Sequence, residues 1–191
     1  MAKTPSLYLD SCYLIDMARV DFGIEPTGKR AEEAWLCKRM LLAAQDGKIK
    51  VFTSILAVPE CRYIKDEADK QILNDEVKRL FDVMLLSGGS GITLVQNDIF
   101  VVNRARDLLW DHGINLKPYD SLHVASALEM KCDEFISDDR KIVISKAAEL
   151  GRLGLRVCSA SDTKVLPLEY RQESIHELVA LNEKKQAAEI K

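Results

Sequence analysis

Short β-rich segments alternate with helical stretches along this chain, and that alternation constrains its fold more than any single residue. The strand candidates are "SLYLD" (6–10), "KIKVFTS" (48–54), "GITLVQ" (91–96), the stretch around "FIS" in "CDEFISDD" (132–139), and "GLRVCS" (154–159). Turn signals bound them, with "DGK" before the second and "SGGSG" before the third. Between them, apolar spacing predicts helices over 31–45, 55–65, 69–85, 97–113, 120–131 and 140–151. In 31–45, Trp35, Leu36, Met40 and Leu41 share a face. In 69–85, Ile72, Leu73, Val77, Leu80, Phe81 and Met84 make one stripe. Strands separated by helices need crossovers, so the strands run parallel in a layered α/β sheet.

A chain of 191 residues holds one domain with a sizeable core. Two stretches fall outside the alternation. Residues 20–30, "VDFGIEPTGKR", form a loop expected to be a lid or part of an insertion over 20–48. The tail, 170–191, is helical in pattern and is expected as an appended helix, with Ile175, Leu178 and Val179 on an apolar stripe. No apolar run is long enough to span a bilayer, and "MAKTPSLYLD" has no signal-peptide core, so a cytoplasmic protein with no membrane partner is expected. The five cysteines are scattered without a C-x-x-C pair, which argues against a disulfide framework and against structural zinc. A protein that coats nucleic acid is usually basic, so a net charge of −3 makes this chain not an obvious one, and it leaves room for a protein that touches a few phosphates.

Acids recur where strands end or helices begin. Asp10 follows "LYL", Glu60 lies shortly after "VFTS", Asp120 opens the helix in "PYDSLHVASA", and Asp138 and Asp139 follow "FIS". Each has an ordinary structural reading. Asp120 and Asp10 suit helix caps, Glu60 suits a solvated helix face, and "DD" suits a helix entry. His123, one of three histidines, suits a satisfied core position. Together the acids say more, because a parallel sheet brings its strand ends to one edge, where such sheets bind ligands. Converging carboxylates repel, and a divalent cation relieves that cost. An all-carboxylate set suits Mg²⁺ or Mn²⁺ and phosphoryl chemistry rather than zinc.

The segments "LYLDSCYLID", "TSILAVPECR" and "YDSLHVASALEMKCDEFISDDRKI" resemble those of PIN-domain nucleases, in particular the VapC-like toxins of toxin–antitoxin modules. The resemblance runs in order from residue 6 to about 158, through Asp10–Ser11, Ser54 with Glu60, Asp120 with His123, Ala125 and Ala127, and Ser137 with Asp139. It implies a three-layer α/β/α sandwich around a central parallel sheet. The nuclease domain would cover 1–160, and the helical extension 161–191. It also implies a Mg²⁺- or Mn²⁺-dependent endoribonuclease whose catalytic and metal-binding residues are Asp10, Glu60, Asp120 and Asp139, with Asp138 the alternative to Asp139. Ser11 and Ser137 would orient the carboxylates, and His123 would pack beneath them. Arg19, Lys117, Arg140 and Lys141 are the candidates to steer the phosphate backbone. The partners implied are RNA, an antitoxin protein and a second copy of the chain. The other reading is a catalytically silent PIN fold that binds RNA or protein. A phosphatase of the haloacid-dehalogenase type would want D-x-D where "DSC" stands, and a receiver domain would place its acids differently.

Overall fold

The computed structural model describes residues 3–24, 28–143 and 145–171, with only the backbone of Lys141 and Val143. Five parallel strands make the main sheet: β1 (Ser6–Leu9), β2 (Lys50–Ser54), β5 (Ile92–Val95), β6 (Glu134–Ile136) and β7 (Arg156–Cys158), in spatial order β5-β2-β1-β6-β7. The register sets Tyr8 beside Phe52 on one side and Phe135 on the other. Alternation along β1 then builds two cores. Leu7 and Leu9 face α1 (Ser11–Asp21), α2 (Lys29–Gln45) and α4 (Asp75–Leu85), while Tyr8 faces α5 (Ile99–Trp110) and α6 (Pro118–Glu129). This is the three-layer α/β/α sandwich. Among the described residues, no helix is long and apolar enough to cross a membrane.

The stretch 20–48, expected as an insertion, holds α2, and α2 belongs to the core. Ala34, Cys37, Met40 and Ala43 are fully buried. Gly91 packs against this helix so closely that a Cβ there would sit 3.0 Å from the Leu41 carbonyl oxygen, and its φ of +84° also favours glycine. Residues 25–27 of the expected loop lie outside the described residues, as do 172–191 with the expected stripe of Ile175, Leu178 and Val179.

Three expected helices are shorter or displaced. The one over 55–65 stops after a single turn, α3 (Ala57–Glu60), because "RYIK" takes an extended form: β3 (Ile64–Lys65) pairs antiparallel with β4 (Gln71–Ile72). That hairpin in turn delays α4 to Asp75, where Asn74 accepts from the Val77 N–H at 2.9 Å and caps it. Leu73, expected on the stripe, is left exposed. The helix over 140–151 divides into α7 (Arg140–Val143) and α8 (Ala147–Arg152). In contrast α1, directly after Asp10, has no counterpart among the sequence expectations. A single turn, α9 (Leu168–Arg171), ends the described chain against α2, where the Arg39 guanidinium donates to the Tyr170 carbonyl at 2.8 Å.

The edge of the sheet away from the strand ends carries a polar clamp. Asp133 accepts from the Ser6 N–H at 2.8 Å and pairs with Lys3 at 2.9 Å, joining the starts of β1 and β6. Burial pulls this carboxyl upward, but Lys3 and Ser6 outweigh it and hold it below its usual value. A depressed carboxylate stabilises the fold above its unfolded pKa, and the gain is lost as pH falls through the folded one. In acid titrations followed by circular dichroism, Asp133→Asn is therefore expected to lower stability at neutral pH and to remove part of the fall below about pH 4. An unchanged acid limb would count against this clamp.

Candidate active site

The sheet order places a topological switch between β1 and β6. From β1 the chain moves to β2 and β5, then returns across β1 to β6 and β7. In open parallel sheets, ligands sit in the crevice at such a point, beyond the carboxyl ends of the strands. Asp10 and the segment 137–139 lie there. The Asp10 N–H donates to the Ile136 carbonyl at 3.0 Å, fixing the two strand ends together. Asp10 also caps α1, accepting from the Ser11 N–H at 2.8 Å through Oδ1. Its Oδ2 accepts the Ser137 hydroxyl at 2.5 Å, and the same Ser137 Oγ accepts from the Asp139 N–H at 3.0 Å. Ser11 and Ser137 thus each hold Asp10, and Ser137 links it to Asp139.

Asp120 stands in the first turn of α6, but it is not the cap. Pro118 takes the first helical position, Lys117 is the cap residue, and no side chain caps this helix. The bland reading of Asp120 as a helix cap is therefore corrected: the proline moves the helix start two residues earlier. The carboxyl's pKa is raised, first by burial and then by the charges of Asp139 and Asp10, with Lys117 and His123 opposing. Ala125 and Ala127, fully buried, seat this helix in the core that lines the sheet.

Glu60 ends α3 and is held from below. His123 Nε2 meets Glu60 Oε2 at 2.9 Å, and His123 Nδ1 meets the Tyr8 hydroxyl at 2.6 Å. The Tyr8 oxygen also accepts from the Ser54 N–H at 2.6 Å, so the phenol joins the end of β2 to the His123 ring. Burial would raise Glu60, but His123 outweighs it, with help from a Ser11 hydrogen bond, and the carboxyl is lowered. Burial likewise disfavours the charged His123, yet Glu60, Asp10 and Asp120 together raise it. His123 is 3 % exposed, a supporting residue beneath the carboxylates.

Tyr8 is the part of this chain that sequence reasoning missed. Its position between Leu7 and Leu9 was the available signal, since a phenol in a buried strand needs a partner for its hydroxyl. Phe135 stacks on it with centroids 5.1 Å apart. Tyr8→Phe strands the Ser54 N–H and loosens His123. It is expected to cost about 1–3 kcal/mol in denaturant titrations. Asn97 was missed as well. Its Oδ1 accepts the Ser54 hydroxyl at 2.9 Å, just past the end of β5, where strand-end polarity could have flagged it.

Of the remaining candidates, Asp138 turns to Arg30 at 3.8 Å, while Asp139 is the acid whose charge reaches Asp120. Lys117 and Arg140 are exposed near the site, and the side chain of Lys141 lies outside the described residues. Arg19 lies on α1, 3.9 Å from Asp16.

Among the described residues, no three His, Cys, Asp or Glu side chains close into a ready metal cage. An open set still suits Mg²⁺ or Mn²⁺, because Mg²⁺ keeps several waters and takes only one or two carboxylates directly. Asp139 and Asp10 both act against the charged form of Asp120, and a divalent cation held among them would relieve that repulsion.

A family model described as PIN domain matches residues 7–150. No curated protein matches the chain. In fold it is similar to a chain from the crystal structure of VapBC2 from Rickettsia felis bound to a DNA fragment from their promoter. The TM-score is 0.52 at 13% identity, covering 81% of this chain and 98% of that one.

Proposed function

The chain belongs to the PIN-domain family, whose members are generally nucleases, and on that premise we propose that it is a divalent-metal-dependent endoribonuclease of the VapC-like toxin branch. The observation that carries this reading is the crevice beyond the ends of β1 and β6, where Ser137 joins Asp10 to the Asp139 backbone and Asp120 stands in the first turn of α6. Asp10, Glu60, Asp120 and Asp139 would hold the cation. Bound there, Mg²⁺ or Mn²⁺ supplies the positive charge that activates water and stabilises the phosphodiester under attack. The chain's own residues supply position. Ser11 and Ser137 orient Asp10, and Tyr8 and His123 hold Glu60 from behind. Lys117, Arg140 and Lys141 are placed by sequence to meet the RNA backbone.

The same reading supplies two protein partners, an antitoxin and a second copy of the chain. The fold's likeness to a chain of a VapBC assembly supports the first. Phe100 and Trp110, 70% and 79% exposed on α5, offer apolar surface to the second. The function is tested by incubating the protein with structured RNA in Mg²⁺, in Mn²⁺ and in chelator. Cleavage with either metal and none in chelator is expected. RNA binding without cleavage in any metal would establish the silent, binding-only PIN fold instead.

A further inference from the structure

Next to the acidic crevice lies a cavity of about 340 Å³ with a different character. It is bounded by α1 (Asp16, Arg19), the start of α2 (Arg30), Glu60, Arg62, and Lys65 of β3. Glu60 is common to this cavity and the proposed catalytic set, and Arg30 reaches from it to Asp138. A strand lying in the crevice therefore has this cavity as its neighbour.

The cations here are unequally matched. Arg30 is spent on Asp16, which it meets through Nε at 2.9 Å and Nη2 at 2.7 Å. Lys65 pairs with Asp69 at 2.8 Å across the hairpin. Arg19 has only the 3.9 Å approach to Asp16, and its buried Nε has no hydrogen-bond partner. Arg62 makes no ion pair with any described residue and only skirts the Tyr63 ring at 6.0 Å. Two guanidiniums thus keep unspent donors around one cavity, in a chain whose net charge is −3. Planar, permanently charged forks of this kind match the oxygens of a phosphate. Tyr63, in the same wall, adds an aromatic face of the kind on which unpaired bases stack.

We propose that this cavity is a phosphate subsite for single-stranded RNA, in which Arg62 and Arg19 hold a backbone phosphate next to the one at the acidic crevice. The proposal rests on the nuclease reading for its choice of ligand. Arg62 lies between α3, which ends at Glu60, and β3, which begins at Ile64, so these two elements fix its place beside the crevice.

The test is equilibrium binding of a short fluorescent single-stranded RNA to the full chain, in chelator, over a series of salt concentrations. Arg62→Ala is expected to weaken binding about tenfold at low salt. It should also reduce the slope of log K against log salt by about 0.7, the value for one lost contact to a single strand. Arg62→Lys should keep most of the slope, and Arg106→Ala, on the exposed face of α5, should change neither quantity. Circular dichroism confirms that each variant is folded. An Arg62→Ala slope and affinity equal to the parent's would overturn the subsite, whatever the cleavage assay shows. The same holds if an acidic peptide, but not RNA, loses affinity in Arg62→Ala, since that makes the cavity a protein-docking site. Arg62-dependent RNA binding without metal-dependent cleavage would leave the subsite standing and remove the nuclease reading alone.

Discussion

RNA cleavage by Asp10→Asn and by Asp120→Asn is expected to fall about a thousandfold or more below that of the parent chain. Each substitution removes one negative charge from the crevice between β1 and β6 while keeping the side chain's shape. Transition-state charge stabilisation by a bound metal is worth several kcal/mol, and each 1.36 kcal/mol is a factor of ten in rate. If Asp10 and Asp120 hold the cation as proposed, losing either would forfeit most of this. Stability should move the other way for Asp120→Asn. The Asp120 carboxyl is disfavoured as a charge by burial and by Asp139 and Asp10, so an amide there relieves repulsion. The group is partly solvated, so the gain should stay within about 1 kcal/mol. Asp10→Asn should not gain, because Asp10 accepts from both Ser11 and Ser137 and an amide nitrogen would face one of those donors. Single-turnover cleavage beside urea titrations separates the two quantities. Cleavage within tenfold of the parent in both variants would sink the assignment of these acids.

Glu134→Ala is expected to act at the opposite edge of the sheet and in the opposite way. Glu134 opens β6 and is 2 % exposed. It accepts from Arg156 of β7, from the Thr163 hydroxyl at 2.5 Å and from the Lys164 N–H at 2.8 Å. One carboxylate therefore ties β6 to β7 and to the segment that follows. Breaking a buried ion pair from one side costs about 3–5 kcal/mol, because the partner groups stay buried and unpaired. Arg156 is more than a third exposed and keeps a second bond to the Asp162 carbonyl at 2.8 Å, which places the loss at the low end, about 3 kcal/mol. The urea midpoint should drop with an unchanged slope. Cleavage per folded molecule should hold, since Glu134 lies at the strand start, away from Asp10 and Asp120. A midpoint shift worth less than about 1 kcal/mol would show that water, not Glu134, serves these donors.

The contrast between the two edges follows from the parallel sheet. Every strand delivers its last residue to the same side, so carboxylates that repel gather at one edge, while acids at strand starts, Asp133 and Glu134, can be spent on structural pairing. The acids at the strand ends were legible from the amino-acid order, and the pairing of Asp133 and Glu134 at the strand starts was not. The five strands fall where the β-rich segments predicted them, because short buried strands in a parallel sheet are apolar enough to stand out. The helix pattern was less reliable near the site. "RYIK" sits within a helical spacing, yet Ile64 is fully buried in a strand that pairs with Ile72, a contact that local spacing does not encode. The helix α1 had no counterpart because the strand reading ended at Asp10 and residues 11–19, before the loop at 20–30, were left unassigned.

What the sequence determined by itself was the order of acids relative to strands, and with it the parallel α/β frame and the edge to which Asp10 and Asp139 are delivered. Asp10, Glu60, Asp120 and the 138–139 pair could be named because periodicity is local and survives without coordinates. Tertiary structure decided which of these acids feel one another and what holds them. That Tyr8, buried in β1, reaches His123 in α6 and through it Glu60 in α3 depends on contacts across 115 and 63 positions of chain. The pairing of Asp138 with Arg30 and the β3–β4 hairpin that follows Arg62 are likewise products of packing. The physical reason is range. Backbone preference and hydrophobic alternation act over a few residues, whereas hydrogen bonds and charges act over ångströms of space that only the closed fold defines.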